Sequence, residues 1–454
     1  MSRIEIKEDN VSINRIEERC INCGMCKKTC ESINNIGNDC LNCGQCILTC
    51  PTGALTPKYN YKAVLNYIKD TNKTVVVFVA PAVRVAIGDA FGFNPGEFLE
   101  EKLVSVLKEI GFNYVFDTTF GADLTIMEEA QELIERINNK DTPMFTSCCP
   151  SWVLYMYKNH QEDVYKLSTC KSPIAMQGAM IKTYFAQNYE LDSEDIISVA
   201  LTPCVSKKSE RELYPDTDIV ITTSELILMI KELGIDFKSL KNKEFDKLLG
   251  KGSSGGLIFG SSGGVMESVL RTAYFMLNKE KAPQEFYQLE SIRGDSEFKE
   301  TIVDMKQYKL KIAAINKIKT VIENYEKLKD YDFIEVMSCP GGCIGGGGQP
   351  LVAIKDLENI RKERIKSLYV EDKEQKIKES YLNPEIIEAY NYFINKGKAN
   401  LIITYLENNS TLFKGKNITV GKFLLDIKDD GNYLLSVYVK HASGFINIMK
   451  NSGE

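Results

Sequence analysis

The stretch "FIEVMSCPGGCIGGGGQP", residues 333–350, begins as an apolar, strand-like run and then breaks into Cys339, Cys343 and the glycine run 345–348. Two other apolar runs end on thiols in the same way. "PMFTS" (143–147) leads into Cys148 and Cys149, and "IISVALT" (196–202) leads through Pro203 into Cys204. Further strands are predicted at "TVVVFVAP" (74–81), "YVFDT" (114–118), "IVITT" (219–223) and "KIAAINKI" (311–318), with helices at 97–111 and 122–137 among the segments between them. This βα alternation predicts an α/β body with doubly wound sheets. We expect two lobes, about 61–204 and 205–338, each a mainly parallel sheet flanked by helices, then a motif and C-terminal wrap at 339–400.

Open α/β sheets bind ligands beyond the carboxyl ends of their strands, where these thiols fall. The loop "APAVR" (80–84) belongs to the same edge. Four thiolates meeting there would suit an iron–sulfur cubane. Glycines 345–348 would then let backbone approach a bulky inorganic group. A flexible linker is the blander reading, but a linker would be polar and not led by an apolar strand and two thiols.

The first fifty residues carry a repeat. "CINCGMCKKTC" (20–30) is followed by "CLNCGQCILTCP" (40–51), each cysteine of the second set lying twenty residues after its counterpart. The pattern is that of bacterial two-cluster ferredoxins, in which the fourth cysteine of each run serves the other cluster. Cys20, Cys23, Cys26 and Cys50 are therefore expected to hold one [4Fe–4S] cluster, and Cys40, Cys43, Cys46 and Cys30 a second. We expect a small α+β ferredoxin-like domain over residues 1–60. Glu31 follows Cys30 where Pro51 follows Cys50, a small departure. Zinc sites normally use two CxxC pairs without a third cysteine at the same interval, so they fit less well.

Composition agrees. The chain has 454 residues and 44% hydrophobic residues, ordinary for two or three globular domains. A net charge of −6 argues against nucleic acid as a partner. No signal-peptide core or membrane-length apolar run is evident, so a cytoplasmic protein without a membrane partner is expected. There, fourteen cysteines point to metal binding or catalysis in preference to disulfides. The two histidines, His160 and His441, lie far in sequence from the cysteine clusters, which leaves thiolate as the metal ligand.

"TSCCPSW" (146–152), "TPCVSKKSE" (202–210) and "EVMSCPGGCIGGGGQP" (335–350) resemble, in order, the three signature motifs of the FeFe hydrogenases. "KSPIAMQGAMIKTYF" (171–185), "VITTSELILMIKELGIDF" (220–237) and "GGVMESVLRTAY" (263–274) are similar to the core of that family, and the likeness runs from about residue 12 to about 400. The resemblance implies reversible interconversion of H2 with protons and electrons at an H-cluster. In the family this is a cubane joined through one cysteine to a two-iron unit with CO, cyanide and azadithiolate ligands. By position, Cys149, Cys204, Cys339 and Cys343 would be the cubane ligands, with Cys343 bridging. Cys148 would be the proton-exchanging thiol, its pKa tuned near neutrality, and Lys207 would pair with a cyanide. Lys208 is expected to be a solvated surface residue. Glu129, Ser168, Glu132 and Arg136 match the family's proton relay. Ala80, Pro81, Ala82, Pro203, Ser206, Met337 and Gly342 would line the cofactor pocket.

Thr202, Ile174 and Ala82 replace residues common in the family, and Cys170 is an additional cysteine, read as a small buried apolar residue. The resemblance implies a ferredoxin or flavodoxin as electron carrier and maturation enzymes that insert the two-iron unit. The alternatives are an H2 sensor of the same family and a non-catalytic iron–sulfur assembly scaffold. Residues 401–454 lie beyond the resemblance; 418–440 read as a hairpin turning at "DDGN" (429–432), without an assigned function.

Overall fold

The computed structural model describes residues 3–37 and 39–395, and the strand backbones 425–427, 433–440 and 445–450. The body strands are β1 (Ile13–Arg15), β2 (Leu55–Pro57), β3 (Thr74–Val79), β4 (Tyr114–Asp117), β5 (Met144–Phe145), β6 (Ile196–Thr202), β7 (Ile219–Thr222), β8 (Phe298–Asp304), β9 (Lys309–Asn316) and β10 (Phe333–Met337). Eight of them, β3 to β10, form one parallel sheet in the order β4-β3-β6-β7 and a second in the order β5-β10-β9-β8, in which β8 pairs antiparallel to β9. The α/β architecture with mainly parallel sheets is as expected.

Both faces of β3, β4, β6, β7, β9 and β10 are buried along most of their length, which explains the continuous apolar runs. Along β3, Val75, Val77 and Val79 enter one core with Leu103, Val104 and Leu107, while Val76 and Phe78 enter another with Ile174, Met176 and Met180. The second sheet is arranged likewise. Ile312, Ala314 and Phe333 meet Val265 and Val269, while Ile315 and Val336 meet Trp152 and Met156. The Thr118–Asn139 helix contributes Phe120 and Leu124 to a core of the first sheet, and Ala122, Ile126 and Leu133 to one of the second. It is the shared spine of the body. Asp117, its N-cap, accepts from Thr119 N at 2.9 Å and pairs with the buried Arg84 at 2.7 Å, which ties the "APAVR" loop to the spine.

The sheets do not follow the expected split of the chain at residue 204. β7 lies after that point yet completes the first sheet, and β5 lies before it yet edges the second. The spine helix carries the chain to the second sheet at β5, and the β5–β6 connection returns it to the first, where β7 follows β6. β8 is an addition to the strands read from sequence. Its burial alternates with Lys299 and Val303 in and Glu300, Ile302 and Asp304 out, the pattern of an edge strand rather than an apolar run.

In the N-terminal segment β1 pairs antiparallel with β2, and the helices Met25–Ile33 and Gln45–Leu48 each follow a turn with left-handed backbone at Asn22 and Gly24, or Asn42 and Gly44. The sequence repeat is thus a backbone repeat. The Leu357–Glu374 helix straps the far side, with Arg364 donating to Ile344 O at 2.8 Å and Asp372 meeting Arg293 at 3.1 Å. Beyond residue 400, β11 (Leu425–Ile427) pairs antiparallel with β12 (Tyr433–Lys440), and β13 (Phe445–Lys450) adds a third strand. The expected turn at 429–432 lies outside the described residues.

Candidate active site

β3, β6 and β10 all end at one cavity between the two sheets. Its wall contains Cys148, Cys149, Cys204, Cys339 and Cys343, together with Ala80, Pro81, Ala82, Pro203, Met337 and Gly342. Thr202 and Ile174 also face it, so all three departures from the family pattern border the same space. Ser206 is outside this lining. Its hydroxyl turns the other way and donates to Leu41 O at 3.4 Å, joining the N-terminal segment to the body.

Burial pushes the thiol of Cys204 up to about 12 and raises those of Cys149, Cys339 and Cys343 above the ordinary range. The polypeptide therefore does not stabilise four thiolates by its own charges. A cationic metal group would, since thiolate ligation requires and compensates deprotonation. Four convergent thiols in an otherwise apolar chamber fit an iron–sulfur group.

Lys207 is the charged side chain of the lining among the described residues. Its Nζ donates to Cys148 O at 3.0 Å and to both oxygens of Glu210 at 2.7 and 2.8 Å. Burial works against the ammonium, but Glu210, together with the sulfurs of Cys204 and Cys148, outweighs it and keeps Lys207 above its ordinary pKa. Glu210 was not singled out from sequence, although its spacing of three from Lys207 on a helical turn carried the signal. Lys208 is not solvated. It is 3% exposed and pairs with Glu225 at 2.9 Å, because the short Lys207–Glu210 helix is buried on both sides.

The four relay candidates come together on the spine helix and the 167–170 turn. Glu129 is buried beside Ser168, and its Oε2 has no hydrogen-bond partner among the described residues. Ser168 Oγ donates to Glu132 Oε2 at 3.2 Å, which also accepts from Thr169 N at 2.9 Å. Arg136 grips the other oxygen through Nε at 2.9 Å and Nη2 at 2.8 Å. Burial, reinforced by Glu132 and Glu335, lifts the Glu129 carboxyl to about 8. The thiol of Cys148 is pushed well above its ordinary range by burial and then by Glu129, not tuned toward neutrality as expected. Cys170 is buried as expected but is not purely apolar in its contacts, since its thiol reaches Glu132 Oε2 at 3.7 Å.

The N-terminal thiols form their own constellation. Cys30, Cys40, Cys43 and Cys46 line one chamber, the crossed grouping expected from the repeat. Burial lifts Cys43 to about 12 and raises Cys46 well above its ordinary range, the same signature as in the main cavity. The two chambers touch through the glycine run. Gly346 alone of residues 345–348 lines the cavity, whereas Gly347 lies against Cys43 O and Gly44, and Gly348 against Thr222 and Pro203 O. These glycines chiefly let backbone segments approach one another, a correction to the expected approach to an inorganic group. Gln45 Nε2 secures the contact by donating to Gly345 O at 2.7 Å. Gly347→Ala would drive a Cβ into Cys43 O, and overpacking of this kind costs about 1–3 kcal/mol. Differential scanning calorimetry should show a lowered Tm; an unchanged Tm would mean the contact is loose.

The family model "Iron only hydrogenase large subunit, C-terminal domain" matches residues 73–347, and "Iron hydrogenase small subunit" matches residues 358–400. The chain belongs to the iron-only hydrogenase family. Iron hydrogenase 1 of Clostridium pasteurianum is 40% identical over 363 residues, covering 77% of this chain and 63% of that protein. This chain thus spans less than two thirds of that relative's length. A solved structure of apo [FeFe]-hydrogenase HydA1 from Chlamydomonas reinhardtii is 34% identical with a TM-score of 0.64, over 74% of this chain and 94% of that one. Cytosolic iron-sulfur assembly component 3 of Bos taurus is 31% identical over 303 residues, 62% of this chain and 63% of that protein.

Proposed function

We propose that this chain catalyses H2 ⇌ 2 H⁺ + 2 e⁻ at an H-cluster in the cavity at the ends of β3, β6 and β10. The observation that carries this reading is the convergence of Cys148, Cys149, Cys204, Cys339, Cys343 and Lys207 on one apolar chamber with a buried carboxyl relay behind it. Cys149, Cys204, Cys339 and Cys343 would hold the cubane, Cys343 bridging to the two-iron unit. When bound, that group supplies the redox chemistry of H2. Everything else falls to the polypeptide.

Lys207 presents its ammonium to the chamber, held there by Glu210 and Cys148 O. The thiol of Cys148 exchanges protons with Glu129, and Ser168 links Glu129 to Glu132. Arg136 cannot deprotonate, so it fixes Glu132 and does not carry the proton itself. Asp141, 3.9 Å from Arg136 and half exposed, marks the way out. Cys20, Cys23, Cys26 and Cys50 would hold one [4Fe–4S] cluster and Cys30, Cys40, Cys43 and Cys46 a second, which when bound would supply the path for electrons. The second set abuts the glycine run, with Cys43 O against Gly347. A ferredoxin or flavodoxin would deliver the electrons, and maturation enzymes would insert the two-iron unit. Reduced thiols throughout suit the cytoplasm, and among the described residues no helix is long and apolar enough to cross a membrane.

The likeness to assembly component 3 supports a second reading, an iron–sulfur scaffold. A scaffold needs no buried thiol–carboxyl relay, so the retention of Cys148, Glu129 and Glu132 favours the enzyme. Infrared spectroscopy after maturation separates the two. The enzyme should show bands of iron-bound CO and cyanide together with H2-dependent dye reduction. Bands without any turnover in either direction would sink the catalytic reading, and absence of bands would favour the scaffold.

A further inference from the structure

Two side chains bridge the thiol chambers. Asn34, which follows the Met25–Ile33 helix, is 2% exposed, and its Nδ2 donates to Cys43 Sγ at 3.3 Å and lies 3.8 Å from Cys30 Sγ. Its Oδ1 accepts from Ser338 Oγ at 3.5 Å. Ser338 in turn gives its backbone N–H to Cys149 Sγ at 3.4 Å. A sulfur of each chamber therefore receives an N–H, and the two donors are joined through one hydroxyl.

We propose that Asn34, oriented by Ser338, is a positioning residue for electron transfer that raises the reduction potential of the cluster on Cys30, Cys40, Cys43 and Cys46. The proposal rests on the reading above that these four cysteines hold a cubane. Reduction adds negative charge that spreads onto the sulfurs, so an N–H donated to sulfur stabilises the reduced form more than the oxidised one. The orientation of the amide decides the sign. Reversed, it would turn the Oδ1 lone pairs onto two thiolates, and the Ser338 hydroxyl donating to Oδ1 holds it the favourable way round. The repeat supplies an internal contrast. Asn34 lies four residues after Cys30, whereas the residue four after Cys50 is the apolar Ala54, so the other thiol set lacks the equivalent amide. The donor is placed on the set that adjoins the main cavity, where a higher potential draws electrons inward from the more exposed set.

The test is an EPR-monitored redox titration of the full chain with its cubanes loaded and no two-iron unit inserted. Asn34→Leu keeps the volume and removes both donors. At fixed poise its reduced-to-oxidised ratio for this cluster should fall about tenfold, ~59 mV for a one-electron couple, with the other N-terminal cluster unmoved. Ser338→Ala, which frees the amide, should give a fall of about threefold, and Asn34→Gln should recover much of the loss. An Asn34→Leu chain with full iron content and the parent midpoint overturns the proposal. Should that variant load less iron, the Ser338→Ala titration decides, and an unmoved midpoint there overturns it equally. A parent chain without cubane signals would overturn the reading of the cysteine sets instead.

Discussion

Cys148→Ala should leave the loaded centre intact and abolish nearly all H2 turnover, by on the order of 10²–10⁴-fold as for removal of a positioned proton-transfer group. The side chain lines the cavity beside Cys149 but is not among the four expected ligands. Its contribution to the site's architecture is made by its backbone, whose carbonyl accepts from Lys207 at 3.0 Å, and alanine keeps that carbonyl. Infrared bands matching the parent, measured on the same sample as the dye assay, would show that the centre is assembled. Lost turnover with unchanged bands then isolates proton exchange. Full turnover in this variant would remove Cys148 from the mechanism, and with it the main argument against a scaffold.

Glu129→Gln should cost turnover on a similar scale, about 10²-fold or more, with a distinctive pH signature. Burial and the neighbouring Glu132 and Glu335 carboxylates hold Glu129 near 8, so it is a neutral acid at pH 7. It can therefore donate to Cys148 at neutral pH, and proton reduction should decline as pH rises through about 8. Stability carries the complementary sign. A carboxyl raised from its ordinary value of 4.5 binds a proton in the fold that the unfolded chain has lost, so its contribution falls as pH rises from 4.5 to about 8. Glutamine has no such proton, and denaturant titrations at pH 5 and pH 8 should differ less for the variant than for the parent. A variant with parental turnover, or parental profiles without an inflection near 8, would take Glu129 out of the relay.

The two predictions rely on residues that differ in how visible they are from sequence. Cys148, Cys149, Cys204, Cys339 and Cys343 could be located because each follows an apolar run, and a parallel sheet brings the carboxyl ends of its strands to one edge. The N-terminal repeat was legible for the same kind of reason, since its ligands recur at one spacing within a short span. Glu129 and Glu132 lie on one helix face by simple periodicity, but the burial of Glu129 and the half-buried state of Glu132 are properties of what packs over that face. Lys207 and Lys208 are adjacent and chemically identical, and both are buried. Only the partners, Glu210 for one and Glu225 for the other, distinguish a cavity cation from a structural one. Ser206, two residues from a cavity thiol, turns its hydroxyl outward to Leu41, since successive residues on a tight turn diverge.

From its order of residues, this chain determined its strands, its alternation of strand and helix, the sulfur at the strand ends and the repeat that groups the N-terminal cysteines. These depend on local periodicity and on spacing along the backbone. Tertiary structure decided which sheet β5 and β7 would join, that glycines 345–348 serve mainly as a seam between segments, and that Asn34 meets Ser338. Those outcomes depend on contacts between segments as many as 304 residues apart, and chain closure over such distances leaves no periodic mark in the sequence.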